Sequence, residues 1–222
     1  MIIAIDGPAG SGKSTIAKLV AKKTGFLYID TGAMYRALTL KTINNRIDPK
    51  DERAVCDLAK RTQIDLIPNA HGPIQVLLDN IDVSVAIREP RVTSRVSDIA
   101  KLGSVREILV KLQRRLGAER DCILDGRDIG TTVFPDAERK FYIDAAFDVR
   151  VERRYKDLIN LNIKGVSREQ VASDLKNRDT IDSTREHSPL KKAPDAVFID
   201  TSAMTIDEVV NAVMSRIHTG SS

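Results

Sequence analysis

Tryptophan is absent from this 222-residue chain, and aromatic residues make up only 4% of it. A ring platform for stacking the bases of a single-stranded nucleic acid is therefore not expected. Cysteine is scarce as well. Cys56 and Cys122 lie far apart in apolar surroundings, which argues against a disulfide framework or a zinc site and suits a reducing cytoplasm. His71, His187 and His218 read as surface residues and receive no chemistry. No apolar run approaches the ~20 residues needed to span a membrane, and no basic segment precedes the first apolar run as a secretory signal requires. The formal net charge is only +4. The arginines come in spaced groups among acids, not in one block, which suits a pocket for small phosphorylated ligands at least as well as nucleic acid. At 42% hydrophobic and 30% charged, the chain has the balance of one compact domain, with room for an inserted subdomain.

What is present is concentrated at the start, MIIAIDGPAGSGKST. Ile2, Ile3, Ala4 and Ile5 read as a buried strand that stops at Asp6. Gly7, Gly10, Gly12, Lys13 and Ser14 match the phosphate-loop pattern G-x-x-x-x-G-K-[ST], and Ile16, Ala17, Leu19, Val20 and Ala21 follow with helical spacing. The residue types suit a polyphosphate. Gly10 and Gly12 permit backbone angles closed to other residues, so that main-chain N–H groups approach the anion. The helix starting near Lys13 points its free N–H groups and positive dipole end at the same place. Gly7, Pro8, Ala9, Gly10, Ser11, Gly12, Lys13, Ser14 and Thr15 are the candidate ATP site. Lys13 is expected on the β- and γ-phosphates and the Ser14 hydroxyl on Mg²⁺.

Further strands are expected at residues 26–29, 122–124, 140–143 and 196–199, with helical patterns between most of them. That alternation predicts an α/β fold with a parallel sheet between helical layers. Asp6, Asp30, Asp125, Asp144 and Asp200 each follow a candidate strand, where such sheets place their ligands. Asp144 and Asp200 read as helix-start residues. Residues 63–80 break the pattern: two apolar stretches flank Pro68-Asn69-Ala70-His71-Gly72-Pro73, which predicts a small antiparallel β insert, with a third strand over 83–87. Residues 92–116 then return to helix, with the basic cluster at 111–115 on a solvated face, and the tail 219–222 is expected to be disordered.

A phosphate loop alone does not separate a switch from a motor or a kinase; the arginines decide. Thr31 and Arg36 sit in DTGAMYR, just after the second strand, where both can face one ligand. Arg127 and Asp128 sit in DGRDIGT after the third; the guanidinium can fork onto a phosphate, and the carboxylate can accept from an amine. Arg178 and Arg185 in NRDTIDSTR are seven apart, two helical turns, and so on one face. Arg150, Arg153 and Arg154 follow the fourth strand; Arg153 reads equally as a surface residue.

Together, GPAGSGKST, LYIDTGAMYRAL, VREILVKLQR, ILDGRDIGTTVFPDA and the segment from NRDTID to SPL closely resemble the cytidylate kinase family of P-loop nucleoside monophosphate kinases. The resemblance implies a P-loop NTPase three-layer sandwich, phosphoryl transfer from MgATP to CMP or dCMP, and a monomer. It also implies one P-loop kinase unit over 1–222. The monophosphate-binding region would span about 31–115 with its β insert near 63–88, and a short LID would lie at about 150–180, centred on 155–170. By position, Thr31, Arg36, Ser97, Arg106, Asp128, Arg178 and Arg185 are similar to the family's CMP contacts, and Asp182 to the residue that helps select the ribose. On this basis Arg36, Arg106 and Arg127 are expected on the CMP phosphate, and Arg150, Arg154, Arg178 and Arg185 over the transferring group. Lys13, Arg127, Arg150, Arg154 and Arg178 are the catalytic candidates. The rival readings are a P-loop kinase for another acceptor such as UMP, a regulatory nucleotide-binding ATPase, and a nucleic-acid-binding ATPase; the last lacks a binding module.

Overall fold

The computed structural model describes residues 1–67, 74–160, 163 and 165–218. The turn expected at 68–73 with His71, residues 161, 162 and 164 of the expected LID, and the tail 219–222 lie outside the described residues.

The strands β1 (Ile2–Asp6), β2 (Leu27–Asp30), β6 (Cys122–Gly126), β7 (Arg139–Asp144) and β8 (Val197–Asp200) form one parallel sheet in the order β2-β6-β1-β7-β8. All five expected strands are present, each ending on or just past its acid. Parallel strands must be covered on both faces, and the side chains of β1 show how. Ile3 and Ile5 pack towards α1 (Lys13–Thr24) and α9 (Ile206–His218), while Ala4 packs on the opposite layer with Val110 of α6 (Gly103–Gly117). Cys122 lies buried in that second layer, and burial pushes its thiol up to about 11.

A second core joins α2 (Thr31–Asn44), α3 (Glu52–Lys60), α4 (Pro90–Thr93), α5 (Val96–Ala100) and α6 around Met34, Leu38, Leu58, Ile87 and Ile99. It is roofed by the antiparallel sheet β3 (Ile64–Ile67), β4 (Gln75–Leu78) and β5 (Ile81–Asp82). A much smaller cluster joins α7 (Phe147–Asn160) and α8 (Arg168–Thr184) through Val151, Leu158, Val171 and Leu175, and it includes Ala9 of the phosphate loop.

Three expectations change. The third strand of the insert is Ile81–Asp82, not 83–87. Asp79 and Asn80, with φ of 49° and 67°, make a two-residue hairpin turn immediately before it. The Asp82 carboxylate then accepts from the Ser84 N–H and hydroxyl, which curls the chain into a 3₁₀ turn at Ala86–Arg88. The helix expected over 92–116 is three helices, α4 to α6. Leu102 is extended (φ −71°, ψ 116°), and Arg106 donates to the Ala100 carbonyl at 3.2 Å, taking over an acceptor that the break frees. Finally, α8 ends at Thr184. Arg185 is its C-cap, with ψ 143°, so it is not on a helical face with Arg178 in the expected sense.

Candidate active site

The carboxyl edge of the parallel sheet, the α2–α6 region and the α7–α8 pair enclose a cavity of about 520 Å³. Its floor is the phosphate loop. Gly10 and Gly12 adopt φ of 77° and 88°, the left-handed region glycine favours. Gly12 is the N-cap of α1 without any side-chain cap, and the first turn holds no acid, so the helix start is free to meet an anion. The loop is also packed from behind: a Cβ on Gly10 would sit 3.0 Å from the Arg150 carbonyl.

Lys13 is buried and donates to the Pro8 carbonyl at 3.0 Å. Burial, followed by the nearby Arg127 guanidinium, lowers its ammonium to about 7. Ser14 donates to Asp125 Oδ2 at 2.5 Å, and Asp125 Oδ1 accepts from the Tyr28 phenol at 2.7 Å. Burial and the neighbouring Asp30 push the Asp125 carboxyl upward. Asp6 serves the fold instead. Both of its oxygens accept main-chain N–H groups, from Ile129 and Gly130 at 2.8 Å each, and they fix the loop that follows Asp128. Asp144 and Asp200 make local contacts: Asp144 accepts from the Ala145 N–H, and Asp200 from Ser202.

The opposite end of the cavity is built from side chains. Asp30 caps α2 by accepting from the Ala33 N–H at 2.8 Å, and its other oxygen holds Arg36 at 2.9 Å. Burial opposes the charge of Asp30, yet Arg36 and the Ala33 N–H hold its carboxyl below the usual range. Asp128 is paired with Arg106 and lies 3.5 Å from Arg185. Asp182 takes Arg127 at 2.9 Å and Arg185 at 3.9 Å, and the Ser97 hydroxyl donates to it at 3.5 Å. Thr31 donates to the Asp125 carbonyl at 2.7 Å. Residues from α2, α5, α6, β6 and α8 thus meet in one cavity.

Arg154 and Arg178 also line it, and among the described residues neither makes an ion pair. Arg178 lacks an acceptor for its buried Nε. Burial and then Arg127 depress its guanidinium to about 10. Cations without a paired acid leave the cavity positive and receptive to an anion.

Arg150 is placed differently. It does not line the cavity; it lies behind the loop, donating to the Ala9 carbonyl at 3.0 Å, to Ala145 at 3.1 Å and to Asp179 at 2.5 Å. Arg153, left open on sequence grounds, does line the cavity and is fixed by Thr201 at 2.7 and 2.9 Å. Within the basic cluster at 111–115, Arg114 is not simply solvated: it donates to the Thr132 and Val133 carbonyls at 2.8 and 2.9 Å. Tyr28, Asp30, Arg88 and Asp157 were not foreseen as site residues. Asp30 carried a signal in its strand-end position. Tyr28 carried none, since it reads as one more apolar residue of its strand.

A family model described as cytidylate kinase matches residues 3–219. The chain is 51% identical to a curated cytidylate kinase from Desulforamulus reducens, over 98% of this chain and 97% of that one. It is 47% identical to another from Clostridioides difficile strain 630, over 98% of each. Among solved structures, an uncharacterized protein from Eubacterium ventriosum ATCC 27560 is similar in fold, with a TM-score of 0.53 at 13% identity over 99% of this chain and 98% of that one.

Proposed function

Because the chain belongs to the cytidylate kinase family and transfers a phosphoryl group from ATP to CMP, we propose the following division of labour within the cavity, with dCMP as an equally chemical acceptor. The loop from Gly7 to Thr15 holds the ATP phosphates through its N–H groups, and Lys13 leaves the Pro8 carbonyl to reach the β- and γ-phosphates. Arg36, Arg106 and Arg127 hold the CMP phosphate. A CMP phosphate oxygen attacks the γ-phosphorus, the bond from that phosphorus to the bridging oxygen breaks, and ADP leaves. The attacking oxygen is already ionised near neutral pH, so no strong base is needed; positioning and charge neutralisation carry the step. Arg154 and Arg178 close over the transferring group. Arg150 acts one layer back, by clamping the loop to α7 and α8.

Ser14 and Asp125 suit Mg²⁺. Both offer hard oxygens, they touch at 2.5 Å beside the loop, and among the described residues no set of three or more acids, cysteines or histidines competes as a metal centre. Most ligands would then come from nucleotide phosphates and water. When bound, the ion screens the phosphates from the incoming anion.

For the base, Asp128 accepts from the exocyclic amine of cytosine, while Arg185 beside it donates to a ring acceptor. Asp182 and Ser97 face the ribose, and Thr31 completes the wall. The small α7–α8 core supports reading this pair as the LID, which excludes water when closed. Free cysteines favour a cytoplasmic setting, and we take the working unit to be a monomer, with no nucleic acid or membrane partner. No helix among the described residues is long and apolar enough to cross a membrane.

One observation carries this reading: a phosphate loop shares its cavity with a second cationic end in which each acid is matched to an arginine. A nucleotide switch does not need that second end. A coupled ADP-release assay with MgATP and CMP, dCMP, UMP, AMP or GMP tests it. Strong turnover is expected with CMP and dCMP and little with AMP or GMP. Equal turnover on UMP would remove Asp128 as the reader of the amine, and hydrolysis without any acceptor would remove the second end altogether.

A further inference from the structure

Asp125 is 3% exposed and sits near the end of a central strand, yet among the described residues it has no ion pair. Its carboxylate is held by two hydroxyl groups, one on each oxygen: Tyr28 on Oδ1 and Ser14 on Oδ2. Carboxylate torsions are soft and broadly populated, so a single partner at Ser14 would leave the group free to turn. The second partner comes from β2, the neighbouring strand, where Tyr28 stands in register with Ile123 and Asp30 with Asp125.

The Tyr28 ring is buried in the core that α1 and α9 cover, and Lys18 of α1 lies 5.7 Å above it. Packing alone would be served as well by phenylalanine. The hydroxyl adds something packing does not need: a charge-assisted bond to a buried carboxylate, among the stronger kinds of hydrogen bond. Asp30, also in register with Asp125, accepts from Arg36 and the Ala33 N–H; an ionised carboxylate has no donor to offer Asp125.

We propose that Tyr28 is a positioning residue of the magnesium site: from the sheet, its phenol fixes the Asp125 carboxylate so that the second oxygen stays at Ser14 beside the phosphate loop. Tyr28 touches neither substrate nor ion; it acts through Asp125. The proposal rests on the reading of Ser14 and Asp125 as the protein's share of that site.

The test is Tyr28→Phe, which keeps the ring and deletes the hydroxyl. Mn²⁺ binding to the enzyme–ADP complex is followed by electron paramagnetic resonance, and turnover is measured against free Mg²⁺. Loss of a group that orients a metal ligand commonly weakens metal binding by about tenfold or more. The expected result is therefore an Mn²⁺ dissociation constant and a half-saturating Mg²⁺ concentration both raised about tenfold. High Mg²⁺ should recover kcat, and the CMP dissociation constant should not move. Metal binding within about twofold of the native protein overturns the proposal, as does a kcat defect that Mg²⁺ cannot repair. Asp125→Asn separates the two levels: if it too leaves Mn²⁺ binding intact, the reading of the metal site fails, and not merely the role of Tyr28. Should Tyr28→Phe not fold, 3-fluorotyrosine at position 28 keeps the hydroxyl and makes it a stronger donor. A shift in Mn²⁺ affinity then supports the proposal, and none overturns it.

Discussion

At the end of the cavity lined by Ala9 to Ser14, an arriving phosphate meets main-chain N–H groups, a helix start and the loop's own lysine. At the end made by Arg36, Arg106, Arg127 and Arg185, it meets guanidiniums already engaged with Asp30, Asp128 and Asp182. The first site is cheap to keep empty, because peptide dipoles carry no net charge and burial lowers the Lys13 ammonium to about 7, easing the loss of its proton. The second stays folded when empty because each cation has an acid beside it. Its selectivity follows from the same pairing: a ligand must replace or join an ion pair already made, which requires matching donors and acceptors as well as charge. Charge deletions should therefore affect rate at the first end, and both affinity and stability at the second.

Lys13→Met should give the largest effect. It removes the one formal charge of the loop, and kcat should fall roughly 10³-fold, the scale of losing a transition-state charge contact. The thermal midpoint should hold or rise, since the protein no longer buries a poorly solvated ammonium. A variant that lost activity together with several degrees of midpoint would show Lys13 to be structural and erase the contrast. Arg178→Met comes next. Among the described residues its guanidinium has no ion pair to lose, so kcat should drop about 10²-fold with little change in stability. A drop in stability comparable to that of Asp128→Asn would show that Arg178 belongs to the paired network after all.

Asp128→Asn acts at the paired end. The KM for CMP should rise roughly tenfold, while Arg106 and Arg185, both buried, lose their shared acid. Breaking a buried pair from one side commonly costs about 3 kcal/mol or more, so urea unfolding should show a clear loss. An Asn variant as stable as the native protein would mean that the pairs contribute nothing to holding the empty site.

The same contrast governs what could be read from the chain. A backbone-made site is contiguous, so the loop from Gly7 to Ser14 was visible as a string, and the angles of Gly10 and Gly12 follow that reading. The parallel strands were legible because each is a short apolar run ending in an acid. The side-chain site draws on α2, α5, α6, β6 and α8, and no spacing rule joins Ser97 to Asp182, which lie 85 positions apart; those residues came from resemblance to a family. Arg150 was expected over the transferring group, and in the structure it lies behind the loop, for a physical reason. Sequence places an arginine on a helix but does not say whether it faces the ligand or the loop's own carbonyls. Tyr28 was silent because its hydroxyl matters only once β2 and β6 are side by side. The helix break before Gly103 was missed too, because the apolar spacing continues through Leu102 while the backbone does not.

The smallest effect is a fraction of a proton, and it sharpens the comparison most directly. In the free protein the Lys13 ammonium is lowered to about 7 by burial first and Arg127 second. The unfolded chain, with an ordinary lysine, binds more protons across the interval above that value, so this group makes folding more favourable as pH rises from about 7 towards the usual lysine range. Nucleotide phosphates favour the ammonium, so binding metal-free ATP near pH 8 should take up a proton, with uptake approaching one per site and fading below pH 7. ATP affinity should then weaken as pH climbs above 7, opposite in sign to the stability trend. Calorimetry in buffers of different ionisation enthalpy measures the uptake, and Lys13→Met should abolish it. CMP binding at the other end, where the arginines stay charged in this range, should give a much smaller signal. No proton uptake on ATP binding near pH 8 would mean that Lys13 is already charged in the empty site, and that burial does not lower its ammonium.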